Sequence, residues 1–175
     1  MTPFLARGIS GAILALAATG VFAQESTNRV AAKTDWSVFV EGSPKECWGV
    51  SSPKETVNSK DGRVVAVKRG DILLFVTYRP GSGTKGEVSF TGGYPFAGGS
   101  TVTLDIGGTA FELFTDGEWA WSASDADDAK IITAMKRGSS AVLSARSGRG
   151  TETKDSFSLL GVTAALEEAE KQCAN

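Results

Sequence analysis

Alternating apolar and polar residues, separated by glycine-containing turns, form the pattern that most constrains the fold of this chain. The clearest example spans residues 101–106, where every second side chain is apolar. Gly107-Gly108 follows with the backbone freedom that a two-residue hairpin turn needs, and residues 109–114 return with a similar alternation. These residues are therefore predicted to form an antiparallel β-hairpin.

Short stretches of the same kind recur along the chain, which indicates a mainly β protein. They occupy residues 36–40, 47–51, 63–68, 72–76, 87–91, 118–122, 141–146 and 156–159. The run 72–76 is apolar throughout, which is typical of a central strand covered on both faces. About nine short strands with frequent turns favour an immunoglobulin-like, two-sheet antiparallel β-sandwich over a parallel α/β sheet.

Two segments show helical spacing instead. The first follows Ser124, where Asp127 three positions later completes the pattern of a capping box, and it ends before Gly138. The second covers residues 163–173 at the C-terminus. Its apolar stripe has the spacing i, i+4, i+7, i+11 and consists of Val162, Leu166, Ala169 and Cys173.

The beginning of the chain predicts export. Arg7 precedes an apolar run at 9–18 that is too short to span a bilayer, and residues 21–23 fit a signal peptidase site. We expect a signal peptide at 1–23, cleaved after Ala23, a flexible lead-in at 24–34 and one domain at 35–175. No later run is long enough for a membrane span. The mature chain is therefore expected in the periplasm, and association with the outer membrane or secretion is left open.

Charge and residue content exclude several classes of function. The net charge is −2, whereas nucleic acids and anionic membrane surfaces select basic faces. The chain contains no histidine, which removes Ser–His and Cys–His nucleophiles and the commonest zinc ligand. Asp125, Asp127 and Asp128 lack the further oxygen ligands of a calcium loop, and the first turn of a helix explains them. We expect no cofactor, no metal ion and no nucleic-acid partner.

The only cysteines are Cys47 and Cys173. In an oxidising compartment an isolated pair is more often a disulfide than a redox or metal site. Cys173 ends the apolar stripe of the second helix, so a bridge to Cys47 would pin that helix to the rest of the domain.

Several short motifs follow one another in a distinctive order. They are Asp35-Trp36-Ser37-Val38, Glu46-Cys47-Trp48, Gly93-Tyr94-Pro95-Phe96, Ile132-x-x-Ala134-Met135-Lys136-x-Gly138, Ser147-x-Arg149-Gly150-Thr151 and Asp155-x-Phe157-Ser158-Leu159-x-Gly161. Together they resemble the invasion-associated locus B family of alphaproteobacteria. The resemblance implies a small exported β-sandwich protein of the periplasm or envelope, linked in pathogenic members to entry into host cells, with no established catalytic residues. Val40 departs from the pattern, because many members carry another cysteine there.

Four side chains are candidate ligand contacts. Tyr94 and Phe96 lie in a glycine-rich loop that we expect to be exposed, with an aromatic tip that can bind a ligand. The alternative is that the loop folds over an open end of the sandwich. Arg146 and Arg149 border the glycine-rich segment 147–151, which we interpret as a hairpin connection, with an anion-binding loop as the alternative.

Trp119 and Trp121 stand two positions apart in a predicted strand, so both project from one face. We expect that face to be core. The alternative is an exposed aromatic strip suited to a glycan or protein partner.

These features favour a non-catalytic envelope protein that binds an envelope or cell-surface protein or glycan. One alternative is an enzyme acting on peptidoglycan or polysaccharide through carboxylates such as Asp105, Glu112 or Asp116. Another is a carrier that holds a small ligand inside the sandwich.

Overall fold

The computed structural model describes residues 28–174, which form a mainly β structure with two α-helices. The strands are Arg29–Lys33 (β1), Trp36–Gly42 (β2), Lys45–Ser51 (β3), Glu55–Lys60 (β4), Arg63–Val64 (β5), Leu73–Arg79 (β6), Thr84–Thr91 (β7), Thr101–Ile106 (β8), Thr109–Asp116 (β9), Trp119–Trp121 (β10), Ser140–Arg146 (β11) and Glu152–Ser158 (β12). The helices are Asp125–Arg137 (α1) and Val162–Ala174 (α2). The predicted signal peptide and residues 24–27 of the lead-in lie outside the described residues.

The strands hydrogen-bond in one antiparallel sheet of twelve, in the order β1-β2-β3-β6-β7-β10-β9-β8-β11-β12-β4-β5. The predicted mainly β, antiparallel fold is confirmed, but a division into two separate hydrogen-bonded sheets is not shown. The sheet curls on itself: the ring of Phe90 on β7 lies 6.2 Å from that of Phe157 on β12. Trp36 Nε1, at the start of β2, donates to the Ser158 carbonyl at the end of β12. The curled sheet thus encloses one apolar core.

The predicted hairpin at 101–114 is confirmed as β8 and β9. Ile106 pairs with Thr109, and Gly107 and Gly108 between them have φ angles of 61° and 86°. Positive φ at both turn positions matches the twist of the strands and is adopted most readily by glycine.

The strand predictions fail mainly at the edges of the sheet. β1 occupies part of the predicted lead-in 24–34, so the sheet begins before residue 35. β4 was not predicted, and the predicted strand 63–68 shortens to Arg63–Val64. Exposed positions dominate β1 and β4, so neither has a clear apolar alternation, and backbone hydrogen bonds to a neighbouring strand define them.

Both predicted helices form. The Ser124 hydroxyl accepts the Asp127 backbone N–H and donates to the Asp127 carboxylate, which caps α1. α2 buries its predicted stripe, and the predicted Cys47–Cys173 disulfide is present, with the two Cα atoms 5.8 Å apart. The bridge ties α2 to the core side of β3. Within residues 28–174, neither α1 nor α2 has the length and hydrophobicity of a transmembrane helix.

Candidate binding sites

A cleft of about 450 Å³ opens at one end of the curled sheet, and we call it the end cleft. It lies between the chain leading into β6, the loop before β8 and the turn that joins β11 to β12. Its lining consists of Val67, Lys68, Arg69, Gly93, Tyr94, Pro95, Glu118, Ser147, Gly148, Arg149, Thr151 and Thr153.

Arg69 fixes the base of the end cleft through a buried ion pair. Its Nη1 and Nη2 donate to the two carboxylate oxygens of Asp155 at 2.7 and 2.6 Å, and these side chains are 6% and 0% exposed. The guanidinium also donates to the Gly92 carbonyl and to the Asn58 side chain. Because most of its N–H donors are engaged within the protein, Arg69 supports the cleft rather than contacting a ligand.

Tyr94 forms a rigid wall of the end cleft. The Arg69 guanidinium carbon lies 5.0 Å from the centre of its ring, and its hydroxyl hydrogen-bonds the Thr153 hydroxyl. Burial raises the pKa of the Tyr94 phenol, and the hydrogen bond to Thr153 opposes that rise. A Cβ on the preceding Gly93 would lie 2.6 Å from the Gly70 carbonyl, so only glycine permits this approach.

Two cations at the end cleft are available to a ligand. Lys68 and Arg149 are exposed, and neither side chain has an ion-pair partner within residues 28–174. Lys60 Nζ donates to the Arg149 carbonyl at 3.1 Å, which brings a third cation to the same turn. Glu118 is the acidic residue in the lining. The end cleft therefore has an excess of positive charge that suits an anionic group.

The backbone of the turn 147–151 behaves as a hairpin connection. The N–H groups of Ser147, Gly148, Gly150 and Thr151 all donate within the protein. They cannot converge on an anion, so the anion-binding loop considered as an alternative does not form from backbone donors. Within this turn, the side chain of Arg149 is therefore the group that can bind an anion.

The four predicted contacts lie in different surroundings. Tyr94 and Arg149 line the end cleft. Phe96 is only 8% exposed and packs 6.1 Å from Phe90, because its loop folds over the open end of the sheet. The expectation that Phe96 is an exposed contact is therefore wrong. Arg146 is exposed near the end of β11, opposite Glu152, and does not line the end cleft.

Trp119 and Trp121 lie on the outer face of the sheet, so the core position expected for them is wrong. Trp119 is 39% exposed, whereas Ala120 between them is fully buried. Ala120 pairs with Phe90 of β7, whose large ring already fills the core side of these strands. A small residue therefore faces inward and the two tryptophans face outward.

These tryptophans belong to a row of aromatic rings across the outer face. The ring centres of Trp119 and Trp121 are 6.3 Å apart, and those of Trp119 and Phe75 are 5.6 Å apart. Phe114 extends the row beyond Trp121 at 5.6 Å. A groove of about 300 Å³ runs along the row, and we call it the outer groove. Its lining consists of Glu46, Trp48, Phe75, Thr77, Arg79, Glu87, Ser89, Trp119 and Trp121.

The three charged residues of the outer groove are joined by hydrogen bonds. Arg79 Nε donates to Glu46 at 2.7 Å and its Nη1 donates to Glu87 at 2.9 Å. Burial alone would lower the pKa of Arg79, but the hydrogen bonds and charges of Glu87 and Glu46 outweigh it and raise that pKa. One guanidinium against two carboxylates leaves this groove with a negative balance, opposite to that of the end cleft.

The carboxylates considered for an enzyme lie elsewhere. Glu112 accepts hydrogen bonds from the hydroxyls of Thr101 and Thr103, and Asp105 accepts one from the backbone N–H of Gly108. Neither these two nor Asp116 lines the end cleft or the outer groove.

The acidic residues at the start of α1 do not converge on one point. Asp128 turns inward, where it accepts hydrogen bonds from the Val88 N–H and the Ser122 hydroxyl, both at 2.7 Å. Burial raises the pKa of Asp128, and these hydrogen bonds oppose the rise. Asp127 bonds Lys130 instead. Within residues 28–174 no cluster of histidine, cysteine and acidic side chains could hold a metal ion.

Comparisons with known proteins agree with this architecture. A family model described as "Invasion associated locus B (IalB) protein" matches residues 36–170. The chain is also similar to the crystal structure of invasion associated protein B from Bartonella henselae, with a TM-score of 0.57 and 15% sequence identity. That similarity covers 83% of this chain and 98% of the other, and at such identity it shows the fold alone. No curated protein matches the chain.

Proposed function

Because the chain belongs to the invasion-associated locus B family, we propose that it is an exported, non-catalytic binding protein of the cell envelope. Its ligand is an anionic group, a carboxylate or a phosphate, on an envelope or cell-surface component, and its binding site is the end cleft. The observation that carries this proposal is the pair of cations, Lys68 and Arg149, that have no ion-pair partner within residues 28–174 and lie beside a rigid wall.

The rigidity of the end cleft matters as much as its charge. Arg69, Asp155 and Tyr94 are held by hydrogen bonds within the protein, so little order has to be gained when a ligand binds. Lys68 and Arg149 can then supply charge-assisted hydrogen bonds to an anion, and a guanidinium matches a carboxylate or phosphate in a bidentate manner.

Two further observations support export and the absence of catalysis. A disulfide between Cys47 and Cys173 is consistent with an oxidising compartment such as the periplasm, as the predicted signal peptide implies. The chain has no histidine, and the carboxylates Asp105, Glu112 and Asp116 lie outside the end cleft.

The test is an NMR titration of the mature protein with glucuronate, inorganic phosphate and, as the uncharged control, glucose. We expect the two anions to shift the amide signals of Lys68, Gly148 and Arg149, and glucose to leave them in place. Binding should weaken with ionic strength, because exposed charges are screened. A response to phosphate alone assigns a phosphate-bearing component, and a response to glucuronate alone assigns an acidic glycan.

Matched arginine variants make this test specific. Arg149→Ala should weaken anion binding about tenfold, the effect of losing about 1.4 kcal/mol. Arg146→Ala removes another exposed arginine, one that lies outside the end cleft, and should leave binding unchanged. An equal loss of anion affinity in both variants, or no saturable response of the wild type to either anion, would contradict the proposal. Turnover of peptidoglycan fragments that Glu112→Gln abolishes would support the enzyme instead.

A further inference from the structure

We propose that the outer groove is a second binding site, and that its ligand is an uncharged oligosaccharide. The groove lies on the outer face of the sheet, on β3, β6, β7 and β10, whereas connecting segments build most of the end cleft. The two sites share no lining residue. The inference therefore does not depend on the function proposed for the end cleft.

The aromatic row supplies the apolar half of such a site. The rings of Trp119 and Trp121 lie nearly parallel, with their planes inclined by only 22° and their centres 6.3 Å apart. Trp48 and Phe75 also line the groove. Sugar rings have C–H faces that are flat and apolar, and they stack on exposed aromatic rings of this kind.

The base of the groove supplies two hydroxyl groups. Thr77 and Ser89 face outward beneath the aromatic rings and are 5% exposed each. Neither hydroxyl makes a hydrogen bond within residues 28–174. A hydroxyl that reaches only the groove is available to a ligand that both donates and accepts hydrogen bonds, as sugar hydroxyls do.

The charged end of the groove selects against an acidic ligand. Glu46 and Glu87 hold Arg79 in place, and their carboxylates retain lone pairs that can accept from sugar hydroxyls. Because the balance of charge is negative, a polyanion would be repelled here while an uncharged saccharide would not.

The same polar groups argue against a protein surface as the ligand. An apolar protein epitope seated on Trp119 and Trp121 would cover Thr77, Ser89 and Arg79 without replacing their hydrogen bonds to water. Burying such groups without partners is costly. A saccharide satisfies the apolar and the polar parts of the groove together.

The direct test is titration of the mature protein with three uncharged tetrasaccharides: chitotetraose, cellotetraose and maltotetraose. We expect at least one to bind saturably and to show saturation-transfer signals from the indole protons of Trp119 and Trp121. Trp119→Ala should weaken that binding at least tenfold. Leu160→Ala removes a side chain that is 59% exposed and lies outside the groove, and it should leave binding unchanged.

The outcomes that overturn the proposal are equally definite. One is a wild-type protein that binds none of the three saccharides. Another is a concentration-dependent dimer that Trp119→Ala abolishes, which would assign this face to self-association. The saturation-transfer measurement uses the wild-type protein, so the test stands even if the Trp119→Ala variant folds poorly.

Discussion

The end cleft and the outer groove are built from the same sheet in two different ways. Loops close the end cleft. Asp155 neutralises Arg69 there, so Lys68 and Arg149 supply the remaining positive charge of the cleft. Strands build the outer groove, where β-sheet alternation turns aromatic rings outward and Arg79 is neutralised by two carboxylates. The contrast teaches that one curled sheet can present a cationic cleft and an aromatic groove without either disturbing the core.

Loss of the disulfide should have the largest effect on stability, and it should affect the outer groove but not the end cleft. In the Cys47→Ala/Cys173→Ala variant we expect a loss of about 4–5 kcal/mol of unfolding free energy, because the bridge closes a very long loop. Cys47 lies between Glu46 and Trp48 of the outer groove, so the groove should respond and the end cleft should not. Urea unfolding gives the stability, and hydrogen exchange should find α2 opening first. Exchange in the turn 147–151 that accelerates as much as in α2 would contradict this account.

Loss of Arg69 should be the next largest effect and should act on the end cleft. Arg69→Met leaves the Asp155 carboxylate, which is 0% exposed, without its partner, at a cost of about 3–5 kcal/mol. Arg149→Ala removes an exposed arginine from the same cleft and should change stability by no more than about 0.5 kcal/mol.

A second substitution shows whether breaking the ion pair causes the loss of stability in Arg69→Met. Asp155→Asn added to Arg69→Met should recover part of the lost stability, because the uncompensated charge is gone. If Arg69→Met costs no more than Arg149→Ala, the ion pair does not hold the cleft together.

The sequence predicted what alternation, capping and cysteine content determine, and missed what depends on distant partners. The β8–β9 hairpin, α1 and α2 followed from local patterns, and the disulfide followed because the chain has only two cysteines. Alternation showed that Trp119 and Trp121 share a face, but the choice of face depended on Phe90, which lies on another strand. Assigning Trp119 and Trp121 to the core face was the main error of prediction at the candidate sites.

The frame of the end cleft had no local signal at all. Arg69 and Asp155 are 86 residues apart, and nothing in the neighbourhood of either predicts the other. Tyr94 and Arg149 were found because they sit in glycine-rich segments, and Phe96 was misplaced because burial of a loop depends on the sheet that it covers.

A smaller effect concerns acid titration near the outer groove. Burial raises the pKa of Asp128 above 3.8, with the nearby charges of Glu87 and Asp125 also raising it. Hydrogen bonds to Lys130 and Ser124 lower the pKa of Asp127 below 3.8. NMR titration of the carboxyl carbons should therefore find the two neighbours on opposite sides of that value.

The two acids should make stability depend on pH in opposite directions. The contribution of Asp128 is fully present below its unfolded pKa and declines as the pH rises through its folded pKa. The contribution of Asp127 is present above its unfolded pKa and is lost as the pH falls through its folded pKa. Since Asp128 bonds Val88, between Glu87 and Ser89, its titration should shift outer-groove amides and spare the end cleft. A shift of equal size at Arg149 would argue against separate sites.

The most direct test of the central claim is a crossed titration of the wild type, Arg149→Ala and Trp119→Ala with one probe for each site. The probes are the anion that binds the end cleft more tightly and the tetrasaccharide that binds the outer groove most tightly. We expect each variant to weaken the binding of its own ligand about tenfold and to leave the affinity for the other ligand within about twofold, because the two sites share no lining residue. If either variant weakens both ligands alike, the two regions act as one site and the account is wrong.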